Sequence, residues 1–346
     1  MSELKTFSIE NRRYLGNKQR LLSEIETTVH THCPNAETVL DLFAGTGVVG
    51  ACFSPYQTVY TNDLLYSNYL CHYAWLKPEP FDESKLKQLL THYNFTQPSE
   101  ENYMSEMFGD TFFSRKVCKK IGWIREDIES RFMAKELNEK ERAILIMSLL
   151  YAMDRIANTC GHYDAYRKQA TFRGDFELRW PLIPNSKYFS FQHDCFNEDA
   201  NELVKRVQAD VVYIDPPYNS RQYSDAYHLL ENVARWEKPE VFGVARKMNR
   251  NHLKSDYCSM KAPIAFAELI KNLQTKLIIV SYNNTEQKAN ARSNAKLSDQ
   301  EILNALEERG KVTIHEVDFK AFNTGKTPTQ QLKERLFICE VTPHES

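Results

Sequence analysis

No stretch of this 346-residue chain approaches the roughly 18 uninterrupted apolar residues that would span a bilayer. The opening MSELKTFSIENRR also lacks the apolar middle of a secretory signal. A cytoplasmic protein with no membrane contact is therefore the expectation. Cysteine pairing is missing too. The eight cysteines, Cys33, Cys52, Cys71, Cys118, Cys160, Cys195, Cys258 and Cys339, are scattered with no CxxC pair, the usage of reduced thiols. Metal-ligand spacing is equally scarce. His30 with His32 and Cys33, or His193 with Cys195, would each need distant partners, so no metal is expected. Charge of one sign is not in excess: the formal net charge is -2, and any contact with nucleic acid must rest on local patches. Three basic groups qualify: Arg115, Lys116, Lys119, Lys120 and Arg125; Arg246, Lys247, Arg250 and Lys254; and Lys288, Arg292 and Lys296. Internal repeats and low-complexity segments are absent. With 42% hydrophobic and 26% charged residues, the chain has ordinary globular composition.

What is present is an alternation of short apolar runs with helical patterns. Leu21, Leu22, Ile25 and Val29 recur at helical spacing over residues 18–31. In TVLDLFAGTGVVGACF a short strand meets a glycine turn at Gly45 and Gly47, then a helical pattern; TVYTND repeats strand then helix, ending its strand at Asp63. Two such units with short connections predict a parallel sheet with crossover helices. Between about Lys77 and Lys187 the pattern turns helical, with Asn138 and Glu141 spaced as a capping box, followed by a polar and aromatic loop. This reads as an insertion or separate lobe. The strand and helix rhythm then resumes, giving seven strands that end near Leu42, Thr61, His193, Ile214, Tyr282, Val317 and Val341. No helix separates the last two, which predicts an antiparallel pair at one edge.

Ligands of an open doubly wound sheet bind beyond the carboxyl ends of its strands. Five such ends carry acidic, small or amide residues: Asp41 with Gly45 and Gly47; Asp63; Asp194; Asp215 to Tyr218; and Ser281 to Asn284. DLFAGTG alone is a weak signal. It lacks the Lys-Ser or Lys-Thr of a phosphate-gripping loop, but an acidic residue about 20 positions on, Asp63, suits the two hydroxyls of a ribose. DPPY is more specific. Pro216 and Pro217 have no backbone donor and nearly fixed φ, so a carbonyl there joins the Asp215 carboxylate as a pair of acceptors suited to an amino group, while Tyr218 offers a ring for stacking.

The order RRYLGNK, DLFAGTG, variable lobe, DPPY resembles the S-adenosylmethionine-dependent DNA N6-adenine methyltransferases of the Dam-like alpha group. The likeness covers roughly residues 10 to 76 and 188 to 342 and is weakest between them. It implies an α/β fold, a seven-stranded Rossmann-like methyltransferase sheet with an inserted, mainly helical target-recognition lobe. The catalytic domain would comprise residues 1–76 and 188–346, and the lobe 77–187. S-adenosylmethionine is the implied cofactor, held by Tyr14 and Lys18, by the turn from Asp41 through Phe43, Gly45 and Gly47, by Asp63 at the ribose, and by Asp194 and Cys195 beside the adenine ring. Asp215, Pro216, Pro217 and Tyr218 would act on a flipped-out adenine of double-stranded DNA. Tyr14 and Asn17 depart from the group's usual Trp and Gly, which touches cofactor detail more than reaction class. Arg221, Gln222 and Tyr223 would flank the extruded base, and Tyr163, Tyr166, Arg167, Lys168 and Arg173 would supply base-edge and phosphate contacts. The form DPPYNSRQY with HYDAY upstream resembles modification enzymes of restriction systems, with a cognate endonuclease as a possible partner. The residues leave open methylation of an RNA adenine or a cytosine amino group, as well as a non-catalytic DNA-binding subunit. Glutamine methylation of a protein more often shows NPPY, and Asp215 counts against it.

Overall fold

The computed structural model describes residues 4–168, 171–172, 174–183, 190–217, 220–283, 296–319 and 332–343. Its centre is one sheet of seven strands: β1 (Thr38–Asp41), β2 (Thr58–Asn62), β3 (Asp194–Phe196), β4 (Val211–Ile214), β5 (Leu277–Asn283), β6 (Gly310–Phe319) and β7 (Leu332–Val341). Their spatial order is β3-β2-β1-β4-β5-β7-β6. The first five are parallel, and β1 pairs on one side with β2 and on the other with β4. The chain therefore reverses its direction of travel across the sheet between β1 and β4, which opens a crevice at their carboxyl ends. The expected antiparallel edge pair is present, with an addition. β7 returns between β5 and β6 and is antiparallel to both.

Helices cover both faces, which is why strands such as Val211–Ile214 are apolar throughout rather than alternating. In chain order they are α1 (Leu22–His32), α2 (Val48–Phe53), α3 (Tyr66–Leu76), α4 (Glu83–Phe95), α5 (Tyr103–Phe108), α6 (Arg115–Met133), α7 (Glu139–Ile156), α8 (Ala200–Leu203), α9 (Tyr223–Ala226), α10 (His228–Arg235), α11 (Ala262–Asn272) and α12 (Asp299–Glu307). One hydrophobic cluster joins the sheet to α8, α11 and α12. The other joins Val39, Val59 and Val211 on the opposite face to α1, α3 and all of α4 to α7. The inserted segment is helical as expected, but it shares a core with the sheet.

Helix α7 explains that sharing. Asn138 and Glu141 form the anticipated capping box: the Glu141 amide donates to Asn138 Oδ1 at 2.9 Å, and the Asn138 amide to Glu141 Oε2 at 3.0 Å. From Lys140 to Asp154 all but Arg142 are buried, because α3, α4, α6 and α10 surround the helix. Two predicted helices are shorter than their patterns. Residues 197–207 form only α8, and residues 224–236 break at Tyr227, whose φ of -122° interrupts the helix between α9 and α10.

Helix α3 begins without a cap of its own, since its N-cap residue is Leu65. Glu231 of α10 takes that role from across the fold. Its fully buried carboxylate accepts from the amides of Tyr66 at 3.0 Å and Ser67 at 2.9 Å, and pairs with Arg235 at 2.7 Å. These bonds satisfy orphan amides of a helix N-terminus and place a negative charge at its positive pole. Glu231→Ala is expected to destabilise the protein by about 3 kcal/mol, the scale of stripping one partner from a buried ion pair; urea unfolding of the two proteins measures it.

Candidate active site

At the carboxyl ends of β1, β2 and β4 lies a cleft walled by the segment from Tyr14 to Lys18, the turn from Phe43 to Thr46, Asp63 and Asp215, the place where an open doubly wound sheet takes its ligand. The glycine turn forms one wall. Gly45 and Gly47 have φ of +55° and +81°, conformations that only glycine adopts without strain. Space is tight as well, most of all at Gly47. A Cβ at Gly45 would stand 3.1 Å from the Tyr14 ring, and one at Gly47 only 2.7 Å from the His72 ring. Burial lowers the His72 pKa to about 4, so the ring is neutral and its Nε2–H donates to the Gly45 carbonyl at 3.0 Å.

Three carboxylates converge on this cleft. Asp63 accepts from the amides of Gly45 at 2.9 Å and Leu65 at 2.8 Å, tying the end of β2 to the glycine turn. Asp41 accepts from the Gly50 amide at 3.0 Å, near the start of α2. Asp215 follows β4, and Lys18 Nζ lies 3.0 Å from its Oδ1. Burial is the largest influence on all three and raises them to about 6 for Asp63 and Asp215 and about 7 for Asp41. Lys18 also contacts Glu334 Oε1 at 2.7 Å, and Ser281 donates to that same oxygen at 3.0 Å. The cleft thus holds more acidic than basic groups. It suits a ligand that carries positive charge.

Against the glycine turn stands a stack of tyrosines. The Tyr14 ring lies 4.4 Å from Tyr227 at 11° and 5.4 Å from Tyr223 at 23°. The Tyr227 hydroxyl accepts from the Leu15 amide at 2.7 Å, and Asn68 donates to the Tyr14 hydroxyl at 3.0 Å. Behind the stack Arg12, buried, donates to Asn68 at 2.8 Å and to Asp154 of α7 at 3.4 Å. RRYLGNK is consequently a wall of the cleft, pinned to α3, α7 and α9.

The structure gathers most of the sequence-derived site residues here: Tyr14, Lys18, Asp41, Phe43, Gly45, Asp63, Asp215 and Pro217 all line the cleft. Gly47 shapes the turn, and Pro216 is buried directly behind Pro217. Tyr218 and Asn284 lie outside the described residues. Asp194 and Cys195 require correction. They belong to β3 instead of following it: Asp194 pairs with Lys77 at 2.7 Å, Cys195 is buried, and the cleft is lined instead by Glu198, Asp199 and Ala200. The shift arises because β3 is only three residues long and starts where the apolar pattern appeared to end.

The expected nucleic-acid contacts divide. Tyr163 is buried, donates to Asp154 at 2.8 Å, and fastens its loop through backbone bonds to Ala226 and His228, so it has no base edge to read. Tyr166 packs edge-on against Phe112. Gln222 exchanges two bonds with the Ser255 backbone and Tyr223 joins the tyrosine stack, so both build the cleft wall. Arg167 and Lys168 are exposed, as is Arg221, which lies 3.7 Å from Asp164. Arg173 lies outside the described residues. Within the basic groups, Arg125 is buried against the carbonyls that end α10, Lys120 donates to the Asn94 carbonyl, and Lys119 and Arg115 pair with Glu101. Lys247 and Arg250 are paired with Asp225. Lys288 and Arg292 lie outside the described residues. Sequence reasoning missed Tyr227, Ser255 and Glu334. Glu334 is masked in the sequence by its charged neighbours Lys333 and Arg335, which precede the apolar run Leu336, Phe337 and Ile338.

The model of D12 class N6 adenine-specific DNA methyltransferases matches residues 14–289. Modification methylase StsI of Streptococcus sanguinis is 37% identical over 352 residues, covering 96% of this chain and 52% of its own length. Type II methyltransferase M.FokI of Planomicrobium okeanokoites is 31% identical over 95% of this chain and 52% of its own. Type II methyltransferase M.NlaIII of Neisseria lactamica is 29% identical over 95% of this chain and 99% of its own. The chain therefore spans about half the length of the first two and nearly all of the third.

The glycine turn yields a direct test. Gly47→Ala combines a left-handed backbone, costing about 1 to 2 kcal/mol for a residue with a Cβ, with a collision against buried His72. An unfolding free energy lower by at least that amount, seen as a lower urea midpoint, is expected. An unchanged midpoint would show that the turn relaxes freely.

Proposed function

The chain belongs to the D12 class N6 adenine-specific DNA methyltransferase family, and from that premise we propose that it is a site-specific adenine methyltransferase acting on double-stranded DNA. Its methyl donor is S-adenosylmethionine, its target a flipped-out adenine, and its setting a cytoplasmic restriction system with a cognate endonuclease. The observation that carries this reading is Asp215, partly buried and anchored by Lys18 beside Pro217 in the same cleft as the glycine turn and Asp63. Among the described residues no helix is long and apolar enough to cross a membrane.

The donor set supports the cofactor. Three carboxylates raised by burial face one cleft, and a sulfonium with an α-ammonium answers that shortage of positive charge. Tyr14, Gly45 and Asp63 are the residues we assign to hold it, with Glu198 and Asp199 on the far wall. When bound, S-adenosylmethionine supplies an electrophilic methyl group.

The remaining work falls to the chain. Adenine's exocyclic nitrogen is conjugated with its ring and a poor nucleophile. Hydrogen bonds from its two protons to Asp215 Oδ2 and the Pro216 carbonyl localise the nitrogen lone pair, while Lys18 keeps Oδ1 occupied and the carboxylate fixed. Asp215 then stabilises the positive charge that develops on nitrogen and takes a departing proton; its pKa of about 6 keeps it ionised at neutral pH yet basic enough to do so. Tyr218 is the ring we assign as stacking platform for the extruded base, offsetting about 1 to 3 kcal/mol of the unstacking cost.

Incubation with radiolabelled S-adenosylmethionine and either duplex DNA or structured RNA tests the proposal. Label recovered from DNA as N6-methyladenine is expected; label confined to RNA or to cytosine would overturn it. Asp215→Ala should lower turnover by about 10²-fold or more while leaving the thermal melt intact, and near-normal turnover would remove Asp215 from the chemistry. Because the carboxylate must be ionised to accept a proton, kcat/KM for DNA should fall as pH drops below about 6. A flat profile between pH 5 and 7 would contradict that role.

A further inference from the structure

Lys18 is shared, and the sharing is asymmetric in origin. Its ammonium lies 3.0 Å from Asp215 Oδ1 at the end of β4 and 2.7 Å from Glu334 Oε1 on β7. Lys18 and Glu334 are buried, and the Lys18 side chain is only 9% exposed. Ser281 on β5, between those two strands, donates to Glu334 Oε1 at 3.0 Å and fixes its reach. If the need were only to neutralise Asp215, Lys18 would suffice, and a second buried carboxylate would add desolvation cost without benefit. Glu334 does something else. It divides the lysine's charge.

We propose that Glu334 is a positioning residue for methyl transfer, holding the Lys18 ammonium so that it orients Asp215 without suppressing that carboxylate's capacity to accept a proton. The inference rests on the role assigned above to Asp215. A full ion pair with Lys18 would make Asp215 a weaker hydrogen-bond acceptor; a lysine already committed to Glu334 makes it a stronger one. The groups that face Asp215 set the balance: Lys18 from the amino-terminal segment, Tyr213 on β4, Asp41 on β1 and Glu334 on β7. Of these Lys18 alone pulls the carboxylate toward ionisation, and the charge of Glu334 opposes it. Glu334 enters from a strand that follows all the recognisable motifs, so the site is complete only when β7 has inserted between β5 and β6.

The test is a carboxyl NMR titration of the ligand-free protein, with the Asp215 signal assigned by its loss in Asp215→Asn. Glu334→Gln, which keeps the side chain's shape and removes its charge, should lower the Asp215 pKa and shift the acid limb of kcat/KM the same way. Turnover on the plateau should fall by up to about 100-fold, the scale of a misplaced reacting group. Glu334→Asp, which keeps the charge one methylene further from Lys18, should move both readouts in the same direction by less, and it decides the matter if the Gln variant does not fold. An Asp215 titration unmoved in the folded variants would overturn the proposal, and so would a shifted titration with plateau turnover unchanged, the outcome for a Glu334 whose charge is felt but which positions nothing. The titration needs no DNA. A shifted pKa in a protein that methylates nothing would leave the Glu334–Lys18–Asp215 coupling standing and refute the function instead.

Discussion

The ammonium of Lys18, buried between two carboxylates, is the contact on which the site depends. It joins residues 18, 215 and 334, separated by nearly the whole chain, and Ser281 braces the far end. Without the Lys18 ammonium both carboxylates would be left without their cation, so the three segments assemble around it. This constraint explains why the amino-terminal motif crosses the carboxyl ends of the strands instead of packing as a separate arm. It also fixes β7 in register, because Glu334 stands opposite Asn283 on β5 and Val317 on β6.

Much of the fold was legible because periodicity and turn chemistry are local. The seven strands, the glycine turn, the capping box at Asn138 and the antiparallel final pair all follow from residues within a few positions of one another. The order in which β7 enters the sheet was not legible, since it depends on pairing across more than fifty residues with β5. Segment edges failed for a related reason. β3 is three residues long, and with so few positions neither periodicity nor flanking glycine marks its start, so in the sequence Asp194 resembles a rim residue, whereas Glu198 and Asp199 are the ones that reach the cleft.

Side-chain roles were legible where chemistry required a rare residue and obscure where it required a common one. Asp215 and Asp63 stood out as carboxylates at strand ends, and both line the cleft. Tyr163, Gln222 and Tyr223 are obscure because tyrosine and glutamine in a polar loop resemble nucleic-acid contacts. The difference is set by distant partners. Asp154 on α7 takes the Tyr163 hydroxyl, Tyr14 takes the face of Tyr223, and the Ser255 backbone satisfies both ends of the Gln222 amide. None of these partners lies within eight residues of its counterpart in sequence.

Those same contacts bear on how a recognition surface would be held. A lobe with its own core ordinarily moves relative to its neighbour. Here α4 to α7 lie in the cluster that also covers the sheet, and a second tie runs through polar groups: Arg12 donates to Asp154 of α7 and to Asn68 of α3, and Asp154 also accepts from Tyr163. The loop that carries exposed Arg167 and Lys168 leaves from that junction, and its Arg167 backbone is bonded to Asn158 in both directions. Because Asn68 also donates to the Tyr14 hydroxyl, one buried arginine fixes the cleft wall and the base of the basic loop together. The exposed basic loop and the cleft are thereby held through one set of buried contacts.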